Sequence, residues 1–84
     1  MTSEGSLQAG DFFYWAESEL APDGQYRGVV HFTAWRDVDD VIETLDPPLV
    51  HLTGQTWRWP ADAVEAAHAL AAELAAGDAL GIDR

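Results

Sequence analysis

Asp11-Phe12-Phe13-Tyr14-Trp15-Ala16-Glu17-Ser18-Glu19-Leu20, then Ala21-Pro22-Asp23-Gly24, then Gln25-Tyr26-Arg27-Gly28-Val29-Val30-His31-Phe32-Thr33-Ala34-Trp35-Arg36, reads as a β-hairpin. Both arms are rich in aromatic and β-branched residues, which suit a pleated surface. The centre carries turn chemistry. Pro22 suits the second position of a type I turn, Asp23 tolerates the third, and Gly24 supplies the left-handed residue of a bulged closure. A three-residue loop Pro22-Asp23-Gly24 makes Ala21 and Gln25 the closing pair. Pairs placed symmetrically about Asp23 then share a face. Leu20 meets Tyr26, Ala16 meets Val30, Tyr14 meets Phe32 and Phe12 meets Ala34, with the small pair Ser18 and Gly28 between them. On the other face Glu19 meets Arg27, Trp15 meets His31 and Phe13 meets Thr33. A slip of one residue mixes these two faces, so turn and pattern specify the same register.

Downstream, Asp37 to Asp46 places Val38, Val41, Ile42 and Leu45 at the i, i+3, i+4, i+7 spacing of one helical face. Asp37 suits an N-cap, and Asp39 and Asp40 suit the positive end of a helix dipole. Pro47-Pro48 ends the segment. The pattern predicts a short helix, with an acidic irregular connection as the alternative. Leu49 to Trp57 reads as a third strand, weakened at Gly54. Pro60 to Ala76 is the clearest helix. Proline opens it, acids occupy the first turns, Ala dominates, and Gly77 stops it. Ala63, Val64, Ala67, Leu70, Ala71 and Leu74 share one face.

The predicted architecture is α+β: a small three-stranded antiparallel sheet packed on one face by the C-terminal helix, with a short helix between strands 2 and 3. Residues 1–10 read as a flexible leader, 11–77 as one domain, and 78–84 as a loosely held tail in which Leu80 and Ile82 could dock. The segments Tyr26-Arg27-Gly28-Val29-Val30-His31 and Thr56-Trp57-Arg58-Trp59-Pro60-Ala61-Asp62-Ala63-Val64-Glu65-Ala66-Ala67 resemble small bacterial domains of unknown function, in which a β-meander precedes one Ala-rich helix. The resemblance implies a fold and carries no activity. The acidic stretch Asp37 to Asp46 departs from the short turn expected there.

Composition narrows function. The 84 residues include 15 Asp plus Glu against 4 Arg, with no Lys and no Cys, for a formal charge of −11. The length fits one domain, and an apolar share of 48% argues against disorder. Disulfides and thiolate metal sites are excluded. The charge disfavours nucleic acid and anionic membrane as partners. No apolar run reaches membrane-spanning length, and the first residues lack signal-peptide features, so a cytoplasmic location is expected.

A helix covering Phe12, Tyr14, Val30 and Phe32 leaves an opposite face of Phe13, Trp15, Val29, His31, Trp35, Leu49, His51 and Trp57. A surface of this kind marks an interface, to a second copy or another protein, unless the short helix or the tail covers it. His31 and His51 are the candidate metal ligands, with Glu17 as a third. Neither HExxH nor His-x-His spacing occurs, and His68 stands apart, so no metal is expected. No nucleophilic Cys or phosphate-cradling loop is present, so neither catalysis nor a cofactor is expected. The expected role is a non-catalytic interaction or homodimerisation module. The alternative is an acidic mimic of DNA phosphates that inhibits a nucleic-acid-binding protein; the ordinary reading of the charge is solubility.

Overall fold

The structure, a computed structural model, describes residues 7–77. Four strands, β1 (Leu7–Ala9), β2 (Phe12–Leu20), β3 (Tyr26–Arg36) and β4 (Ile42–Leu52), form one antiparallel sheet in chain order. One helix, α1 (Pro60–Ala76), follows and packs across β1, β2 and β3. The class is α+β, as the sequence indicates, but the sheet has four strands rather than three.

The central hairpin follows its turn chemistry. Gly24 donates to the Ala21 carbonyl at 3.0 Å, Ala21 donates to the Gln25 carbonyl at 2.7 Å, and Gly24 sits at φ 86°. From Leu20–Tyr26 to Tyr14–Phe32 the pairing is the one expected about Asp23. Beyond Tyr14 it shifts by one, so Phe13 pairs with Ala34 and Phe12 with Trp35. The expected partners Thr33 and Ala34 are displaced by a β-bulge, and a one-residue shift turns every later side chain to the other face. Trp35 therefore reaches the helix side and packs against the core, where Ala34 opposite Phe12 would leave a gap.

The added strand, β1, comes from the stretch read as leader. Ala9 pairs with Phe12 around Gly10, whose φ of 59° supplies the positive dihedral a two-residue hairpin needs. Ala9 is buried in the core cluster with Ala75 from the end of α1. The remainder of the expected leader and the expected tail lie outside the described residues.

The predicted helix over Asp37–Asp46 is absent. Asp37 does cap, but it caps a hairpin loop. Its Oδ1 accepts from the backbone N–H of Asp39 at 2.9 Å and of Val41 at 3.0 Å, and Asp40 adopts φ 67°. Val38 is 85% exposed, so the apparent apolar stripe is not a packing face. Two isolated helical turns do not recover their nucleation cost, whereas an edge strand gains the β3 ladder. Arg36 pairs with Ile42, Trp35 with Glu43 and Ala34 with Thr44; pairing then resumes at Phe32–Leu49 and runs to Val29–Leu52. Leu45 to Pro48 bridge the interruption opposite Thr33, with a cis bond between Asp46 and Pro47. Residues without an N–H are tolerated where the ladder is broken.

The helix has the expected bounds, with Pro60 in its first turn and the Gly77 N–H returning to the Glu73 carbonyl at 2.9 Å. Ala63, Ala67, Ala71 and Ala75 form its buried stripe. Ala67, Ala71 and Ala75 join the core cluster with Phe12, Tyr14, Val30 and Phe32, whose Phe12 and Phe32 rings meet edge to face at 5.9 Å. A small stripe allows close approach. At Gly28 a Cβ would come within 2.4 Å of the Ala63 carbonyl oxygen and 2.9 Å of the Ala67 Cβ.

Candidate interaction face

Residues paired across strands point to the same side of a sheet. The register therefore sorts every strand residue. Phe13, Trp15, Glu17 and Glu19 of β2, Arg27, Val29, His31, Ala34 and Arg36 of β3, and Ile42, Thr44, Val50 and Leu52 of β4 face away from α1. Among the described residues no element packs on this side.

Four of the expected interface residues, Phe13, Trp15, Val29 and His31, lie on this open face. Trp35, His51 and Trp57 do not. His51 pairs with Val30, and its ring meets Phe32 edge to face at 6.0 Å, so β4 presents Leu49 and His51 to the helix side. This reverses the predicted facing. Trp57 bridges Tyr26 with two 2.7 Å backbone bonds and also lies on the helix side. Sequence reasoning missed Ile42, Val50 and Leu52, which are 49%, 53% and 46% exposed on the open face. The alternation of β4 was legible, but which of its faces turns inward depends on the bulges.

The aromatic residues of the open face are not bare. The Trp15 and His31 rings are parallel, 3° apart in tilt, with centroids at 3.8 Å. The His31 Nε2 lies 2.9 Å from a Glu17 carboxylate oxygen. Arg27 binds the Glu19 carboxylate, its Nε donating at 2.7 Å. The Arg36 guanidinium stands 5.8 Å from the Phe13 ring centroid and its Nε is 3.2 Å from Asp40. Val29 is only 2% exposed, flanked by its partners Glu17 and Leu52. The aromatics thus form a braced platform, and the free apolar surface is the aliphatic strip on β4.

Charge is unevenly divided. The strand positions of this face hold Glu17 and Glu19 against Arg27 and Arg36, which balance, plus His31. The helix carries Asp62, Glu65 and Glu73 with no Arg or Lys. In a chain of −11 the open face is the least acidic one, with Asp40 of the adjoining loop adding a carboxylate beside Arg36.

Other polar groups have structural partners. The Tyr14 hydroxyl meets His68 Nδ1 at 2.9 Å between sheet and helix, and burial holds the phenol above the usual tyrosine pKa. His68 meets Tyr14 and His51 meets Phe32 on the helix side, so these two share a face that His31 does not. His31 and His51 thus stand on opposite faces, and no group of three ligands able to hold a metal occurs among the described residues. No helix of the described residues is long and apolar enough to cross a membrane.

These features define a four-stranded antiparallel α+β domain with one helix-covered face and one open face. Comparison with protein-family models, curated proteins and solved structures gives no match for this chain.

Proposed function

We propose that this chain is a small non-catalytic interaction domain that pairs with a second copy of itself through the open sheet face. The observation that supports this reading is an aliphatic strip, Ile42, Val50 and Leu52, on the charge-balanced side of an otherwise acidic molecule. Apolar area removed from water supplies the attraction, at about 25 cal/mol per Å² before the costs of association. Two copies meeting by any acid-rich surface repel one another. Two meeting by this face bring balanced charges together around Trp15 and His31, and aromatic residues are common interface anchors.

Size-exclusion chromatography with light scattering tests the reading. The expected result is a concentration-dependent dimer that Leu52→Lys converts to monomer while circular dichroism stays unchanged. Leu52 is half exposed, so the substitution spares the core. A strict monomer at millimolar concentration removes the self-association proposal. The acidic-mimic alternative requires a basic protein partner. Its carboxylates are spread over loops, at Asp11, Asp23, Asp37, Asp39 and Asp40, and along the helix, which favours it less.

A further inference from the structure

A groove of about 540 Å³ runs between α1 and the segment 53–57 on the helix side of the sheet. Its walls are independent of the open face. Ala66, Ala69, Leu70 and Glu73 form one side, at helical spacing i, i+3, i+4, i+7. Thr53, Gln55 and Trp57 form the other.

The rim is held in place before any ligand arrives. Thr53 Oγ1 accepts from the Gly28 N–H at 2.9 Å and donates to the Gln55 carbonyl at 3.0 Å. The Thr53 N–H reaches the Gly28 carbonyl at 3.0 Å, and the Trp57 backbone is bridged to Tyr26. Both ends of the segment are thus tied to β3. The volume falls within the range of small-molecule sites, which are usually pre-formed. The small residues Ala66 and Ala69 leave the space open; larger side chains there would fill it.

The chemistry of the lining selects a class of ligand. Glu73 is the one charged residue that lines the groove, and its carboxylate has no hydrogen-bond or ion-pair partner among the described residues. The Trp57 indole likewise has no ring or cation partner among them. Arg58, the adjacent cation in sequence, is placed 5.3 Å from the Trp59 ring. An indole, a carboxylate and alkyl side chains lining one groove match a cation with an apolar stem. We propose that this groove binds an alkylammonium ion. Its positive head would lie between Trp57 and Glu73, and its stem against Ala66, Ala69 and Leu70. The source is either a free amine or the lysine side chain of a protein.

The Trp57 indole N–H signal in a two-dimensional NMR spectrum, assigned with Trp57→Phe, reports occupancy directly. Two probes separate the sources: n-butylammonium for a free amine and Nα-acetyl-lysine amide for a side chain. The expected result is a saturable shift of the Trp57 signal in the millimolar range. The uncharged isostere n-butanol is expected to bind about tenfold more weakly, and Glu73→Gln to cost about tenfold for either cation. Tighter binding of the blocked lysine assigns a protein side chain; equal or tighter binding of n-butylammonium assigns a free amine. Ala69→Leu, at an exposed helix position, is expected to abolish both shifts by filling the groove. The proposal is overturned by an absence of saturable shift with both cations, by equal binding of n-butanol, or by unchanged affinity in folded Glu73→Gln.

Discussion

Tyr14 shows how one residue reports the packing of the whole domain. Its ring is buried beneath α1, its hydroxyl meets His68 Nδ1, and the same ring lies edge-on to the imidazole at 5.7 Å. Burial disfavours the phenolate, so the folded pKa lies above the unfolded one. The sign follows from proton linkage. A raised pKa contributes stability that is complete below the unfolded value, about 10, and is lost as pH rises from there through the folded value. Denaturant titrations of the wild type are therefore expected to show stability falling above about pH 10. Tyr14→Phe should flatten that decline and should cost about 1 kcal/mol at neutral pH through the lost hydrogen bond. An unchanged alkaline decline in Tyr14→Phe would assign it to another group.

At the scale of elements, the contact between α1 and β3 is set by small residues. The Ala63, Ala67, Ala71 and Ala75 stripe lets the helix approach until Gly28 leaves no room for a methyl group. Gly28→Ala should therefore force the helix away and destabilise the domain by about 1–3 kcal/mol, the usual cost of overpacking. Thermal or urea unfolding measures this, and a neutral result would mean that the helix shifts freely. Much of the element order is legible in the sequence. The Pro22-Asp23-Gly24 turn and the Pro60–Ala76 helix are local in origin, so local chemistry finds them. Two elements are not local. β1 is three residues long and exists because Phe12 and Ala75 give Ala9 somewhere to pack. The β3–β4 loop shares its Asp-rich opening and its Val, Ile and Leu spacing with a short helix. The available edge of β3 separates the two readings, and sequence periodicity cannot represent that edge.

At the scale of the molecule, charge and apolar surface are segregated. Acids crowd the loops and the helix, while the open face balances Glu17 and Glu19 with Arg27 and Arg36. Self-association through that face brings two strongly negative bodies together, so added salt should tighten the dimer by screening their repulsion. Analytical ultracentrifugation across a salt series checks this. A dimer that weakens with salt would instead place attractive ion pairs between the two copies at the contact. The aromatic surplus read from composition also takes a different form here. Phe13 and Trp15 are braced by Arg36 and His31, while Trp35 is drawn into the core by the bulge. The exposed apolar strip consists of the aliphatic residues of β4.

The sequence by itself determined the α+β class, the central hairpin from Leu20–Tyr26 to Tyr14–Phe32, the closing helix and the acidic balance. Each follows from short-range geometry: a turn that accepts a left-handed glycine, alternation along a strand, a proline-opened alanine run, and a sum of charges. Tertiary structure alone decided which face each later residue occupies. The bulge at Thr33 and the interruption at Leu45–Pro48 change strand parity, turning Trp35, Leu49 and His51 toward the helix and Val50 and Leu52 away from it. Such irregularities form where a distant partner, here Phe12 beneath the helix, makes one register fill the core better than another. A pattern with a period of two residues carries no record of that partner.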